Sequence, residues 1–212
     1  MINDDTHYET GRLATADLST LEASFADLPE DAYAQKGLRS RRYSRYRLSA
    51  DGRLNHLDHR DFMQSKKVNK AVGDVERRFE EIEATTSENP AFVAMFEAFR
   101  AHTGLRPESV VEAHQIRWHC RNRVTIPAPE GTHQDGFDFI AMFMVDTADL
   151  SGGEVLVYPS PDRNPLLKAN LKPGEYVVLN DKKVFHDAAP LVPEPNERDG
   201  HWDLIVLTAN AA

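Results

Sequence analysis

Apolar residues in the first half of the chain recur every three or four positions, the spacing of one buried helix face. This spacing predicts three helices. The third is the best marked, because Asn89 can cap its first turn, Pro90 suits the first helical position and Gly104 can end it. The three apolar stripes are Leu18, Leu21, Phe25 and Leu28, stopped by Pro29; Val72, Val75, Phe79 and Ile82; and Phe92, Val93, Phe96 and Phe99.

A different pattern, typical of strands, occurs between the first two helices and throughout the second half. Bulky and basic residues alternate in RSRRYSRYRLS, and an Asp51-Gly52 turn follows. From residue 110 onward, short apolar segments are separated by residues that favour turns. The predicted strands are VVEAHQIRWHC, FDFIAMFMV, GEVLVYP, GEYVVLN, KVFHDA and HWDLIVLTA.

Successive strands without intervening helices favour an antiparallel sandwich or barrel over a parallel sheet. We therefore expect a mainly β fold with N-terminal helices and a double-stranded β-helix core, which is a jelly-roll or cupin-like architecture. The whole chain, residues 1–212, is expected to form one catalytic domain. Residues 1–108 form its helix-rich N-terminal part with one or two strands, and residues 109–212 form the jelly-roll core.

Composition and charge narrow the possible partners. The chain is 41% hydrophobic and 28% charged, with a net charge of −9 and no basic tract. Nucleic acids and anionic membranes are therefore excluded as expected partners, because both are bound through basic patches. The polar, acidic N-terminus is unlike an export signal, and no segment has the apolar length of a membrane span. A cytoplasmic protein is expected, its oligomeric state open, with a homodimer as one candidate.

Candidate chemistry centres on histidine and aspartate, since the single cysteine, Cys120, excludes multi-cysteine metal sites and is expected to be buried. His133 and Asp135 lie two residues apart, so on an extended segment their side chains share one face. His186, in the strand KVFHDA, can supply a third ligand. Two histidines and one carboxylate leave adjacent metal positions open, as Fe(II) oxygenases require. A His-x-Asp pair alone also occurs by chance.

Six motifs in order carry a family resemblance that extends from about residue 30 to residue 209. The chain resembles the bacterial 2-oxoglutarate/Fe(II) dioxygenases that hydroxylate free L-amino acids, the group typified by L-isoleucine 4-hydroxylase. The motifs are RRYSRY (41–46), FMQSK (62–66), AHQIR (113–117), THQDG (132–136), GGE (152–154) and KVFHDAAPL (183–191).

The resemblance implies the jelly-roll fold, with His133, Asp135 and His186 as iron ligands and catalytic residues. It also implies that 2-oxoglutarate chelates the iron, and that dioxygen converts it to succinate and carbon dioxide while a substrate C–H bond is hydroxylated. The implied cofactors are Fe(II), 2-oxoglutarate and dioxygen, and the implied partner is a small amino acid substrate.

One departure from the family pattern concerns the distal carboxylate of 2-oxoglutarate. Relatives place an arginine, which pairs well with carboxylates, directly before an aspartate in the last core strand. In this chain that position is Trp202, before Asp203. Three explanations stay open: the anchor has moved to another cation, with Arg117 and Arg198 as candidates; the motif alignment over the 190–200 loop is shifted; or 2-oxoglutarate is not used.

The candidates for substrate binding are Arg45, Gln115 and Tyr43, and Arg117 is a further candidate for gripping a substrate carboxylate. Two alternatives to the hydroxylase stay open. One is a cupin-like non-haem iron oxygenase or oxidase that acts without 2-oxoglutarate, which Trp202 favours. The other is a catalytically inactive jelly roll that binds a small molecule, which the intact set of three ligands disfavours.

Overall fold

The computed structural model describes residues 1–2, 6–14, 17–66, 73–195 and 199–211. The fold is mostly β, with 39% strand and 12% helix, which confirms the expected jelly-roll class. The helices are α1 (Ser19–Ala23), α2 (Ala84–Ser87) and α3 (Pro90–Thr103). The strands are β1 (Tyr8–Arg12), β2 (Arg39–Leu48), β3 (Leu54–His56), β4 (Val110–Cys120), β5 (Phe139–Ala148), β6 (Leu150–Gly152), β7 (Val155–Tyr158), β8 (Leu167–Ala169), β9 (Glu175–Asn180), β10 (Phe185–Ala188), β11 (Leu191–Pro193) and β12 (Gly200–Ala209).

A large antiparallel sheet carries most of the fold. Its strand order is β1-β9-β5-β12-β4-β2-β3, so strands from both halves of the chain join in one sheet. A three-stranded sheet, β10-β7-β8, packs against one of its faces, and β11 pairs with β6 in a separate two-stranded sheet. The last core strand, β12, lies between β4 and β5 and pairs with both over nearly its whole length.

The period-2 alternation of a strand separates the two faces of the large sheet. On β12, Ile205 and Leu207 pack with the helices, whereas Trp202 and Leu204 face the small sheet. A cavity lies on this second face. The side on which a β4 or β12 residue lies therefore decides whether it can reach a ligand in the cavity.

Helix α3 covers the opposite face. The Asn89 side chain accepts a hydrogen bond from the Ala91 amide, and Gly104 ends the helix in a left-handed conformation with a φ of 67°. Both features agree with the cap and the stop predicted from the sequence. The residues of the helix that pack on the sheet include Phe92, Met95, Phe96 and Phe99, all at most 1% exposed.

The helix predicted from Val72 to Ile82 is wrong for the part that the structure describes. Val72 lies outside the described residues, and residues 73–83 contain no helix. This segment is extended and bonds to neighbouring strands instead, since the Tyr43 amide donates to the Glu80 carbonyl and the Ile82 amide to the Ser44 hydroxyl. Its buried apolar residues belong to two separate clusters, Phe79 to one and Ile82 to the other, so their spacing in the sequence resembles that of a helix.

The helical part of the first half is smaller than predicted, and its strands are more numerous. Helix α1 is a single turn of five residues, and β1, β2 and β3 all belong to the large sheet. Among the described residues, no helix has the length and apolar character needed to cross a bilayer.

Candidate metal centre

A backbone bridge brings the two candidate histidine ligands together. The His133 amide donates to the His186 carbonyl at 3.0 Å, and the His186 amide donates back to the His133 carbonyl at 2.9 Å. This antiparallel bridge joins the segment before β5 to strand β10 across 53 positions of sequence. The two imidazole rings consequently lie with their centroids 4.4 Å apart.

Asp135 completes the group. The ligand atoms of His133, Asp135 and His186 all lie within 4.8 Å of one another. Asp135 Oδ1 is 3.5 Å from His133 Nε2, and Asp135 Oδ2 is 3.8 Å from His186 Nε2. Both histidines therefore direct Nε2 toward the same point as the carboxylate. Two imidazole nitrogens and one carboxylate fit the facial arrangement of a non-haem Fe(II) site.

The other ring nitrogen of each histidine faces the protein. His133 Nδ1 donates to the Gly131 carbonyl at 2.8 Å, which fixes the ring orientation and leaves Nε2 for a metal. His186 Nδ1 faces Asp181 Oδ1 at 3.5 Å, and the Asp181 side chain is 1% exposed. Asp181 is itself held by the Gly136 amide, which donates to its Oδ2 at 2.8 Å. Neither supporting contact follows from the spacing of the motif.

The charges of the group favour metal binding. Burial alone would raise the pKa of Asp135, but hydrogen bonding from His133 and the charges of both histidines hold it well below its usual range. Burial also opposes protonation of His133, yet Asp135 and Glu130 outweigh it and raise the His133 pKa to about 9. The carboxylate is therefore anionic, and a binding cation displaces the proton of His133.

Gln64 connects this centre to a buried cation. Its amide nitrogen donates to Asp135 Oδ1 at 3.1 Å and to the Asp135 carbonyl at 3.2 Å, while its oxygen accepts from Arg77 Nη2 at 2.7 Å. Gln64 belongs to the FMQSK motif, one of the six motifs of the family resemblance, but the sequence alone assigns this residue no role. The structure places it where it can orient the Asp135 carboxylate.

A cavity of about 590 Å³ opens beside the three ligands. Its walls come from the cavity face of β4 and β12, from β2, from the 123–130 loop and from β10. Much of the lining is apolar, including Ile116, Trp118 and Leu204, and β2 contributes the basic side chains of Arg39 and Arg41. Such a volume suits small molecules rather than a macromolecular substrate.

The structure does not bring Arg117 to this cavity. Arg117 projects from the other face of β4, where Nε and Nη2 donate to the two carboxylate oxygens of Asp203 at 2.7 and 2.6 Å. Its guanidinium is already committed, so it is not positioned to bind either 2-oxoglutarate or substrate. Gln115 shares this face of β4, which the helices cover.

The three predicted substrate residues also lie away from the cavity lining. Gln115 donates to the Ser24 carbonyl and hydroxyl on the helix side. Tyr43 is 1% exposed and stacks on His114, with ring centroids 4.9 Å apart. Arg45 stands opposite Glu112 on the neighbouring strand.

Of the two remaining candidates for binding 2-oxoglutarate, the structure describes only one. Arg198 lies outside the described residues. Trp202 is 3% exposed and does line the cavity, where it stands opposite Trp118 on β4. An indole at this position gives the cavity an apolar wall. Among the residues that the structure describes, the arginines that line the cavity are Arg39, Arg41, Arg77 and Arg123.

Sequence reasoning missed Arg41 and Arg77 as cavity residues. The RRYSRY motif contains Arg41, but alternation could not say which of its arginines faces inward, because β2 carries basic residues on both faces. Arg77 lies in the segment 72–82, whose apolar spacing wrongly predicts a helix. Nothing in the sequence placed it near Asp135.

A second group of possible ligands, Asp146, His201 and Asp203, lies on the helix face of the sheet. His201 Nε2 is 2.8 Å from Asp146 Oδ2, and Asp203 already pairs with Arg117. Each of these groups has a partner within the protein, which accounts for the cluster without a metal.

Several solved structures resemble the fold. A bsmA homologue from Methylobium petroleophilum PM1 is 26% identical, with a TM-score of 0.76 over 92% of this chain and 82% of that one. The IDO protein from Bacillus thuringiensis is 21% identical, with a TM-score of 0.79 over 99% and 96% of the two chains. TqaL, an Fe(II)/α-ketoglutarate-dependent dioxygenase, is 16% identical, with a TM-score of 0.71 over 98% and 83%.

None of the curated proteins compared with the chain matches it. The family model for 2OG-Fe dioxygenases, however, matches residues 22–208, which include all of the candidate metal centre. The chain therefore belongs to the 2OG-Fe dioxygenase family, whose members use Fe(II), 2-oxoglutarate and dioxygen.

Proposed function

We propose that the protein hydroxylates an unactivated C–H bond of a free L-amino acid or a close derivative, with iron held by His133, Asp135 and His186. The observation that carries this proposal is the convergence of two Nε2 atoms and one carboxylate on the wall of the 590 Å³ cavity. Iron and 2-oxoglutarate supply the activation of dioxygen in such a site. The protein supplies the ligands, the orientation and the exclusion of water.

The lining of the cavity supports a small, zwitterionic substrate. Glu130 lines the cavity, with its Oε1 3.6 Å from His133 Nε2, and can pair with an ammonium group close to the metal. Apolar residues such as Ile116, Leu204 and Val206 can hold an aliphatic side chain. The proposal assigns these residues to orient the substrate so that one C–H bond faces the iron.

The test is turnover by the purified protein. Fe(II), ascorbate, oxygen and a panel of L-amino acids are supplied with and without 2-oxoglutarate, and succinate and substrate mass are measured. Succinate formed together with a substrate that has gained one oxygen atom supports the proposal. Turnover that does not need 2-oxoglutarate would instead support the cupin-like alternative, and absence of both iron binding and turnover would support the inactive binding module.

Two histidine variants test the metal ligands. His186→Ala should lose stoichiometric iron binding and all turnover, because it removes one of three protein ligands. His56→Ala provides the matched control, since His56 is an exposed residue on β3 outside the cavity, and its turnover should equal that of the wild type. Full activity in His186→Ala would refute the ligand assignment.

A further inference from the structure

Two buried arginines on the cavity wall have no anionic partner among the residues that the structure describes. Arg41 is 7% exposed and Arg77 is 2% exposed, and both line the cavity. Their guanidinium carbons lie 5.2 Å and 4.6 Å from the ring centroid of Phe62, so the two groups flank one aromatic side chain. They form a single cationic wall on the β2 side of the cavity.

The contacts of these two arginines are neutral. Arg41 Nη2 donates to His114 Nδ1, and Arg77 Nη2 donates to the Gln64 side-chain oxygen. Arg41 also lies over the ring of Phe79, at 4.5 Å. The Nε atom of each arginine is buried and has no hydrogen-bond partner in the described part of the chain.

No carboxylate among the described residues forms an ion pair with either side chain. The carboxylates that act on both from a distance, Asp31 and Asp135, are engaged elsewhere. Asp31 pairs with Arg39 at 2.6 Å, and Asp135 faces the two histidines of the metal centre. Metal binding would remove Asp135 further as a counter-ion.

The Arg41 and Arg77 wall is cationic at neutral pH. Burial and the neighbouring charge of Arg39 lower the pKa of Arg41 to about 9, which still leaves it protonated at pH 7. Burial likewise keeps the pKa of His114 well below its ordinary value, so this neighbour is neutral and accepts the hydrogen bond from Arg41. A buried charge without a partner is costly, and two together are more so.

The other cavity cations are arranged differently. Arg39 is already paired with Asp31, and Arg123 is exposed. At Trp202 the wall is apolar. Among the cavity residues that the structure describes, Arg41 and Arg77 are thus the buried cations with donors left for a ligand.

We propose that Arg41 and Arg77 form a subsite that binds a carboxylate group of a ligand in the cavity. Arg77 reaches the metal centre through Gln64, so the bound carboxylate lies close to the iron ligands. A guanidinium fork matches a carboxylate in geometry and charge. The inference rests on the proposed function for its ligands. Either the distal carboxylate of 2-oxoglutarate or the carboxylate of the amino acid can occupy the subsite.

The test compares ligands that differ only in the carboxylate, using protein loaded with Mn(II) so that no turnover occurs. The first pair is 2-oxoglutarate and 2-oxovalerate, which has a methyl group in place of the distal carboxylate. The second is L-leucine and L-leucinamide, and the third is succinate and succinamide, which need no iron chemistry. Calorimetry gives the ratio of affinities within each pair for the wild type, Arg41→Gln and Arg77→Gln.

Arg42→Gln is the matched control. Arg42 lies next to Arg41 on β2, but its guanidinium pairs with Glu80 and Glu83 outside the cavity. Every affinity ratio of this variant should equal that of the wild type.

We expect the wild type to prefer the carboxylate in at least one pair, and each glutamine variant to lose that preference by tenfold or more. Loss in the 2-oxoglutarate pair identifies the co-substrate as occupant, and loss in the leucine pair identifies the amino acid. A wild type without preference in any pair, or folded variants in which the ratios change less than threefold, would overturn the subsite.

Two further comparisons decide the result when a variant does not fold or when turnover fails. If the glutamine variants do not fold, the wild-type arginine Nε–H signals in NMR decide, since they should shift with succinate and not with succinamide. If turnover fails but succinate binding depends on Arg41 and Arg77, the proposed function falls while the subsite stands. If turnover succeeds and the affinity ratios do not change in the glutamine variants, the proposed function stands while the subsite falls.

Discussion

Replacement of Arg117 by methionine removes the guanidinium that donates two hydrogen bonds to Asp203 across β4 and β12. The Asp203 side chain is 0% exposed and that of Arg117 is 18% exposed, so the variant leaves a buried carboxylate without its main partner. Removal of one member of a buried pair costs about 3–5 kcal/mol. His201 Nε2, at 3.8 Å from Asp203, compensates in part, which favours the lower end of that range, about 3 kcal/mol.

The loss of unfolding free energy in Arg117→Met should depend on pH. Burial already raises the pKa of Asp203 above its ordinary value despite Arg117, and removal of the cation raises it further. A carboxyl group with a raised pKa in the folded state stabilises the fold only where it is protonated, and this contribution disappears as pH rises through that pKa. The deficit of Arg117→Met should therefore be smaller at pH 5 than at pH 8.

Guanidinium denaturation followed by circular dichroism measures the free energy of unfolding. A loss of about 3 kcal/mol corresponds to a melting temperature lower by about 6–12 °C for a chain of this size. Arg121→Met is the control, because the exposed pair Arg121–Asp199 should contribute less than about 1 kcal/mol. Combining Arg117→Met with Asp203→Leu should recover much of the loss, since no unpaired charge remains.

An unchanged unfolding free energy in Arg117→Met, together with weaker 2-oxoglutarate binding, would refute this structural role of Arg117. That result would make Arg117 a co-substrate ligand after all. Unchanged 2-oxoglutarate affinity in a destabilised variant would agree with the position of Arg117 on the helix face of the sheet.

Three further changes test the metal centre and the packing around it. Gln64→Ala should lower the metal affinity about 10–100-fold, because Asp135 loses the donor that orients it; a chelator competition titration measures this, and an unchanged affinity would contradict the role. Gly152→Ala should lower the free energy of unfolding by at least about 2 kcal/mol, since the new Cβ would lie 2.0 Å from the Pro190 carbonyl oxygen at a φ of 87°. Gly131→Ala is the control, because its Cβ would meet open space at a φ of 74°, and it should lower the free energy of unfolding by about 1 kcal/mol. Equal unfolding free energies for the two glycine variants would be inconsistent with this contact. Phe99→Ala should cost about 3–5 kcal/mol, because the ring is fully buried between α3 and the sheet; a loss below 1 kcal/mol by denaturation would count against that packing.

Local patterns were sufficient wherever neighbouring residues determine the conformation. Helix α3 follows from Asn89, Pro90, Gly104 and an apolar stripe, and the long strands follow from period-2 alternation bounded by turn residues. The same local rule failed between Val75 and Ile82, where buried residues serve two clusters and the backbone bonds to β2. Periodicity reports burial, and burial alone does not distinguish a helix from an extended segment that passes two cores.

The sequence by itself determined the mainly β fold class and nominated His133, Asp135 and His186, because motif order and a two-residue spacing are local properties. Only the tertiary structure decided which polar residues share the cavity. Arg117 and Arg41 lie on neighbouring strands, yet Arg117 pairs with Asp203 under the helices and Arg41 lines the cavity beside the metal centre. The physical reason is that the environment of a strand face depends on the segments that pack against it, and these segments are distant in the sequence. Gln64, Arg77 and Asp181 approach the metal centre from three such segments, so their convergence exists only in the folded protein.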